Sequence, residues 1–192
     1  FLKLIADFDV LVENFRPGTL DRWGLDWATL QQHNPRLSVL RLTGFGQTGP
    51  YAGRPGFARI FEAMSGLAHL TGEAGGNPLH INFPLGDSIA GLFGAFAIAS
   101  LAAERARDPQ APGRDVDLSA TEALLRVLEP LAAEYECLHE VRGRSGARAS
   151  YTAPSNIYRT RDGLWITLVG SSDPIFRRLC VAMEQPTLCE DP

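Results

Sequence analysis

Apolar positions along the chain fall in short blocks whose period changes. Residues 9–13 (DVLVE) and 38–43 (SVLRLT) are compact apolar runs bounded by turn chemistry, and they predict two strands. The first runs into Asn14-Phe15-Arg16-Pro17-Gly18 and the second into Gly44-Phe45-Gly46-Gln47-Thr48-Gly49-Pro50, both loop sequences. Between them, 19–23 reads as a short helix with Thr19 as its N-cap. Residues 26–33 read as another, closed by Asn34-Pro35. The preceding 1–8 read as the end of a helix, so the chain is expected to be part of a longer protein or to have lost its start.

Farther along, 59–70 places Ile60, Ala63, Met64 and Leu67 at helical spacing. Residues 72–78 read as a flexible loop. A long, proline-free segment, 88–107, predicts a helix with Arg105 and Arg107 in its last turn, where cations complement the helix dipole. Residues 115–119 (DVDLS) alternate like a strand, and 120–141 predict one more helix. A Gly-, Arg- and Ser-rich stretch at 143–152 reads as a linker or mobile loop. Then SNIYRTRDGLWITLVGSS predicts a hairpin turning at Asp162-Gly163, followed by a helix over 176–183.

Strands alternating with helices up to about residue 142 argue for an α/β, Rossmann-like layer with a largely parallel sheet. Its N-terminal part is expected to be missing. Residues 153–192 are expected to begin a smaller α+β domain.

Composition narrows the function classes. The chain of 192 residues has a net charge of −4, 45% apolar and 21% charged residues, which suits a globular domain and not a disordered one. There is no long basic stripe, so nucleic acid is not the expected partner. Cys137, Cys180 and Cys189 have no CxxC or metal-ligand spacing, so reduced thiols in a cytoplasmic protein and no metal are expected. The apolar run 89–103 is short and broken by glycines, no signal peptide is visible, and no membrane association is expected.

One carboxylate stands out. Asp87 follows Pro84 and Gly86 and opens the helical run, whose early positions Ala90, Gly91, Gly94, Ala95 and Ala97 are small enough for a backbone or ligand to approach. As a helix cap it would contribute about 1 kcal/mol. Near the loops after the two strands, where open parallel sheets bind ligands, it could instead be a base, a metal ligand or a covalent nucleophile. Spacing does not choose among these.

The motifs VENFRPG (12–18), GFGQTGPY (44–51), SGLAHLTGE (65–73) and PLGDSIAGLFGA (84–95), in this order, resemble the class III, formyl-CoA transferase-like CoA-transferases. That family also contains carnitine CoA-transferases and α-methylacyl-CoA racemases. GRDVDLSATEALL and YRTRDGLWITLVG fit its later segments. The resemblance implies an acyl-CoA:carboxylate CoA-transferase in which Asp87 forms acyl-aspartyl and aspartyl-CoA intermediates. It implies that Asn14, Phe15, Arg16 and Arg22 contact coenzyme A, the substrate-borne cofactor, and that the longer family chains form interlocked homodimers. A small carboxylic acid is the implied acceptor.

The racemases of the family carry Gly-His-Asp where this chain has Gly56-Phe57-Ala58. Phe57 exchanges no proton, which argues against α-proton chemistry. Some formyl-CoA transferases carry an acid where Ala58 stands, and their glycine-rich lid is not reproduced at 143–152. The alternatives are a CoA-thioester racemase or isomerase, and an inactive CoA-binding fragment. Among the histidines, His33, His69 and His139 read as structural, while His80, seven residues before Asp87, could line the substrate side. Trp23 and Trp27 read as core or groove wall.

Overall fold

The computed structural model describes residues 1–128 and 130–190 and divides into two compact units, residues 1–69 with 79–142 and residues 70–78 with 143–192. The first unit is built on three parallel strands in the order β1 (Val10–Glu13), β2 (Ser38–Thr43) and β3 (Asp115–Ser119). Val10 pairs with Ser38 and Glu13 with Arg41; Val39 pairs with Asp115 and Thr43 with Ser119. The central β2 is buried at every position but Leu42. This is what a parallel strand covered on both faces requires.

Two apolar clusters provide that cover. Ile5, Leu30, Leu37 and Val39 form one, with Trp27 packed against it. Leu30 comes from α2 (Trp27–His33), which is capped by Asp26. The Asp26 carboxylate accepts from Thr29 N (2.9 Å) and Thr29 Oγ1 (3.0 Å), and these bonds hold it below the usual range. The opening segment is a single 3₁₀ turn, Ile5–Asp7, and not a helix end. It is tied to α2 because Asn34 Nδ2 donates to the carbonyls of Ile5 and Phe8.

The second cluster joins Phe61, Ala90, Ala120 and Leu124. These come from α3 (Ala58–Met64), α5 (Leu85–Arg107) and α6 (Ala120–Val127). Gly94 permits the close packing of α5 on the sheet, since a Cβ there would lie 2.9 Å from Leu40 Cδ2. At 23 residues α5 is long and apolar enough, by length and composition, to cross a bilayer, which corrects the shorter run read from sequence. Its Ala90 and Gly94 are buried, with Gly94 against the sheet, while Leu92 and Phe96 on the same helix are exposed.

Several predicted helices change at their ends. Thr19 is the first residue of α1 (Thr19–Arg22) and not its cap; Gly18, at φ 75°, holds the cap position. The helix predicted over 59–70 breaks at Ser65-Gly66 into α3 and α4 (Leu67–Leu70), because Gly66 adopts φ 93°. The helix predicted over 120–141 splits into α6 and α7 (Leu131–Leu138). Pro130, which lacks an N–H, stands at the start of α7; Glu129 lies outside the described residues.

The second unit contains the antiparallel hairpin β4 (Ser155–Arg159) and β5 (Trp165–Val169), paired from Ser155↔Val169 to Arg159↔Trp165. Thr160 N donates to Leu164 O and Gly163 N to Thr160 O across its turn. Next comes α8 (Asp173–Ala182), which begins three residues before the predicted 176, with Pro174 in its first turn. A 3₁₀ turn, Pro186–Cys189, follows. Asp191 and Pro192, at the end of the predicted second domain, lie outside the described residues. Residues 72–78 and 143–152, read separately as loops, hold each other: Gly146 N donates to Gly72 O and Arg144 Nε to Gly76 O, both 2.9 Å.

The three cysteines are free. Burial, together with a hydrogen bond to Cys189, raises the Cys180 thiol. A cavity of about 700 Å³ lies in this unit between the hairpin and α8. No residue singled out from the sequence as a site residue lines it.

Candidate active site

Because β1 and β2 are parallel, the loops that follow them leave the same edge of the sheet. There Asn14, Phe15 and Arg16 share a cleft of about 170 Å³ with Thr43, Gly44, Arg54 and Phe57. The sequence reading did not single out Arg54. Its only signal was its place in the Tyr51-Ala52-Gly53-Arg54 turn, where its guanidinium carbon sits 4.2 Å above the Tyr51 ring. Arg16 and Arg54 give the cleft two cations.

A buried polar ladder fixes the first loop. Phe15 N donates to Glu13 Oε2 at 2.8 Å. Arg41 Nη1 lies 3.7 Å from Glu13 Oε1, and Arg41 Nε donates to Asp115 Oδ1 at 2.8 Å. One guanidinium thus links carboxylates from both flanking strands. The second loop is held just as firmly. Gln47 N reaches both Asp117 oxygens at 2.9 Å, and Thr121 donates through N and Oγ1 to Gly44 O.

Burial raises the Glu13 carboxyl above its ordinary 4.5, against the lowering effect of the Phe15 N–H and the Arg41 guanidinium. A carboxyl raised on folding stabilises the protein fully below its unfolded value, and that contribution falls away as pH rises through the folded value. The stability gap between wild type and Glu13→Gln should therefore favour wild type most near pH 4.5 and shrink at higher pH. Urea unfolding of both proteins over that range checks this. A gap that widens with pH would mean that the ion pair outweighs burial.

Phe15 meets Trp23 edge to face at 5.1 Å; Trp23 is exposed and does not line the cleft, while Trp27 packs on the core. Arg22 is not among the cleft-lining residues. Its Nη2 donates to Thr19 Oγ1 at 2.8 Å, and its Nη1 lies 3.6 Å from where a Gly18 Cβ would be. It therefore flanks the end of the same loop.

Asp87 is the third residue of α5, not its cap; Pro84 holds the cap position without a side-chain bond. The difference arises because Leu85 and Gly86 already belong to the helix. Leu85 packs against the second cluster, and a Gly86 Cβ would lie 3.3 Å from both Ala58 O and Leu124 Cδ1. This contact sets the first turn of α5 against the first residue of α3, whose neighbour Phe57 lines the cleft described above. Asp87 is exposed, and its carboxylate has no hydrogen bond or ion pair among the described residues. Ser88 turns to Pro84 O instead, through N (3.1 Å) and Oγ (2.9 Å).

A second cleft, of about 250 Å³, lies between α3 and the 81–84 segment that leads into α5. Glu62 is part of its wall, with a side chain 1% exposed and Oε2 2.9 Å from His80 Nδ1. His80 thus reaches the wall of this cleft through Glu62. His33 Nδ1 meets Thr29 O at 3.0 Å, and His139 ends α7 at φ 54°. His69 lies in α4. Among the described residues, no three His, Cys, Asp or Glu side chains gather as a metal site would need.

The family model for CoA-transferase family III matches residues 1–192. The chain belongs to CoA-transferase family III. It is 46% identical over 189 residues to the succinyl-CoA–L-malate CoA-transferase alpha subunit of Chloroflexus aurantiacus, covering 98% of this chain and 44% of that one. It is 42% identical to the succinyl-CoA–D-citramalate CoA-transferase of the same organism, covering 99% and 47%. Against the acetyl-CoA:oxalate CoA-transferase of Acetobacter aceti the identity is 35%, covering 100% and 49%. A solved CaiB/BaiF family protein from Brucella suis superposes with a TM-score of 0.81 at 33% identity, over 99% of this chain and 50% of that one. The chain spans about half the length of the curated relatives it matches. Family membership supports CoA transfer as the reaction class, with coenzyme A carried on the substrate. The mixed α/β fold with its parallel sheet is the one expected from the sequence.

Proposed function

We propose that the full-length protein transfers CoA from an acyl-CoA to a carboxylic acid, with Asp87 as the covalent relay. The observation that carries this reading is the state of Asp87. It is a bare, exposed carboxylate in the first turn of α5; it lines neither cleft itself, but its neighbour Gly86 packs on Ala58, which borders the second cleft and follows Phe57 of the first. An Asp87 oxygen attacks the thioester carbonyl, the C–S bond breaks, and the mixed anhydride forms as CoA thiolate leaves. The thiolate attacks Asp87 Cγ, expels the donor acid as carboxylate and leaves an aspartyl-CoA thioester. The acceptor carboxylate then attacks Cγ and releases the thiolate. In the last step the thiolate attacks the acceptor's acyl carbon and frees Asp87. No net proton moves, so Phe57 and Ala58 suffice where a racemase needs acid and base.

The named substrates of the relatives support small dicarboxylic donors and acceptors. Asn14, Phe15, Arg16 and Arg54 are the proposed CoA contacts, with Arg22 braced at the end of their loop. The protein acts in the cytoplasm as an interlocked homodimer. Free thiols support the first statement, and the exposed Leu92 and Phe96 on α5 support the second. Full-length protein incubated with succinyl-CoA and a panel of small carboxylic acids should yield new acyl-CoA products by mass spectrometry. Hydrolysis alone, or no product with any acid, would defeat the reading.

A further inference from the structure

We infer that the cleft between α3 and residues 81–84 receives the acyl part of the donor, and that Arg59 selects donors ending in a second carboxylate. This rests on the transferase reading above. Three observations carry it, and position comes first. The cleft is bounded by Ala58, which touches Gly86, and by Pro84, which opens the helix turn bearing Asp87. An acyl chain leaving the thioester carbonyl beside Asp87 enters there.

The second observation is charge. Arg59 lines the cleft, is exposed, and has no hydrogen bond or ion pair among the described residues. The nearest anion on its own helix, Glu62, is buried and engaged by His80 at 2.9 Å, so the guanidinium is left for a ligand. Its planar fork fits a carboxylate through two parallel N–H bonds, which an ammonium cannot reproduce. Lastly, the shape suits a short chain. Ile81, Phe83 and Pro84 offer apolar wall for methylene groups, Asn82 offers an amide, and the volume of about 250 Å³ is small.

The test uses full-length protein with succinyl-CoA and butyryl-CoA, which differ in the terminal carboxylate. Arg59→Leu should lower kcat/KM for succinyl-CoA roughly 10- to 100-fold and leave butyryl-CoA unchanged. Arg59→Lys should recover only part of the loss. Equal losses on both donors, or none on either, would overturn the assignment. Binding of the two thioesters in an Asp87→Ala background reads the same selectivity without chemistry. There, a succinyl-CoA preference that disappears with Arg59→Leu supports Arg59 even where transfer itself fails, and equal affinities refute it.

Discussion

Asp87→Ala in the full-length protein should lower CoA transfer by roughly 10⁴-fold or more, the scale seen when a covalent nucleophile is removed. Asp87→Asn should do nearly the same, since the amide keeps the shape but lacks the attacking anion. Neither change should disturb the fold. The carboxylate is exposed and unpaired among the described residues, so the melting temperature should move by no more than about 2 °C. CoA binding should survive, because Asn14, Phe15, Arg16 and Arg54 sit on other loops. Oxygen labelling separates a relay from mere electrostatic help. An acceptor acid labelled with ¹⁸O in its carboxylate must leave one labelled oxygen on Asp87 in each turnover, to be carried off in donor acid released over the following turnovers. Label confined to the acceptor product, or activity retained by either variant, would remove Asp87 from the chemistry.

What the sequence revealed and what it hid divide along physical lines. β2 and β3 were legible to the residue because a short apolar run between turn residues has few other ways to fold. The Asn14–Arg16 and Gly44 loops were legible as neighbours at one end of the sheet because parallel strands send their ends the same way. Helix interruptions were not. Ser65-Gly66 and the Pro130 turn lie inside segments whose apolar spacing reads as continuous, and the break depends on one residue's backbone in each. Asp87 was found but misplaced by one helical turn, since Leu85 and Gly86 join the helix only through contacts with α3 and α6. Least visible were the polar pairs. Arg41 and Asp115 are 74 residues apart and Glu62 and His80 are 18 apart, so neither pair follows from local spacing. Family motifs pointed to Asp87 as the candidate nucleophile, yet they were silent on Arg54 and Arg59, whose places beside the two clefts follow only from the folded chain.

Arg41→Met should cost about 3–5 kcal/mol of stability, the range for removing one partner from a buried ion pair. The substitution keeps most of the side-chain volume on the central strand but strips Glu13, whose side chain is only 5% exposed, of its cation. Asp115 loses its partner too, although it is partly solvated. Burial already raises the Glu13 carboxyl, so without Arg41 it protonates more readily. The loss should accordingly be smaller near pH 4.5 and grow as pH rises, because keeping the carboxyl neutral becomes harder. The consequence reaches the cleft, because the Glu13 carboxylate is what holds the Phe15 N–H and with it the Asn14–Arg16 turn. CoA affinity should weaken alongside stability. The double variant Glu13→Gln/Arg41→Met should recover much of the loss, since a neutral amide still accepts from Phe15 N and no charge is stranded inside. Denaturant unfolding of the four proteins closes that cycle. If the double variant falls by the sum of the two single losses, Arg41 and Glu13 act independently, and the guanidinium braces the sheet through Asp115 rather than through the Asn14–Arg16 loop.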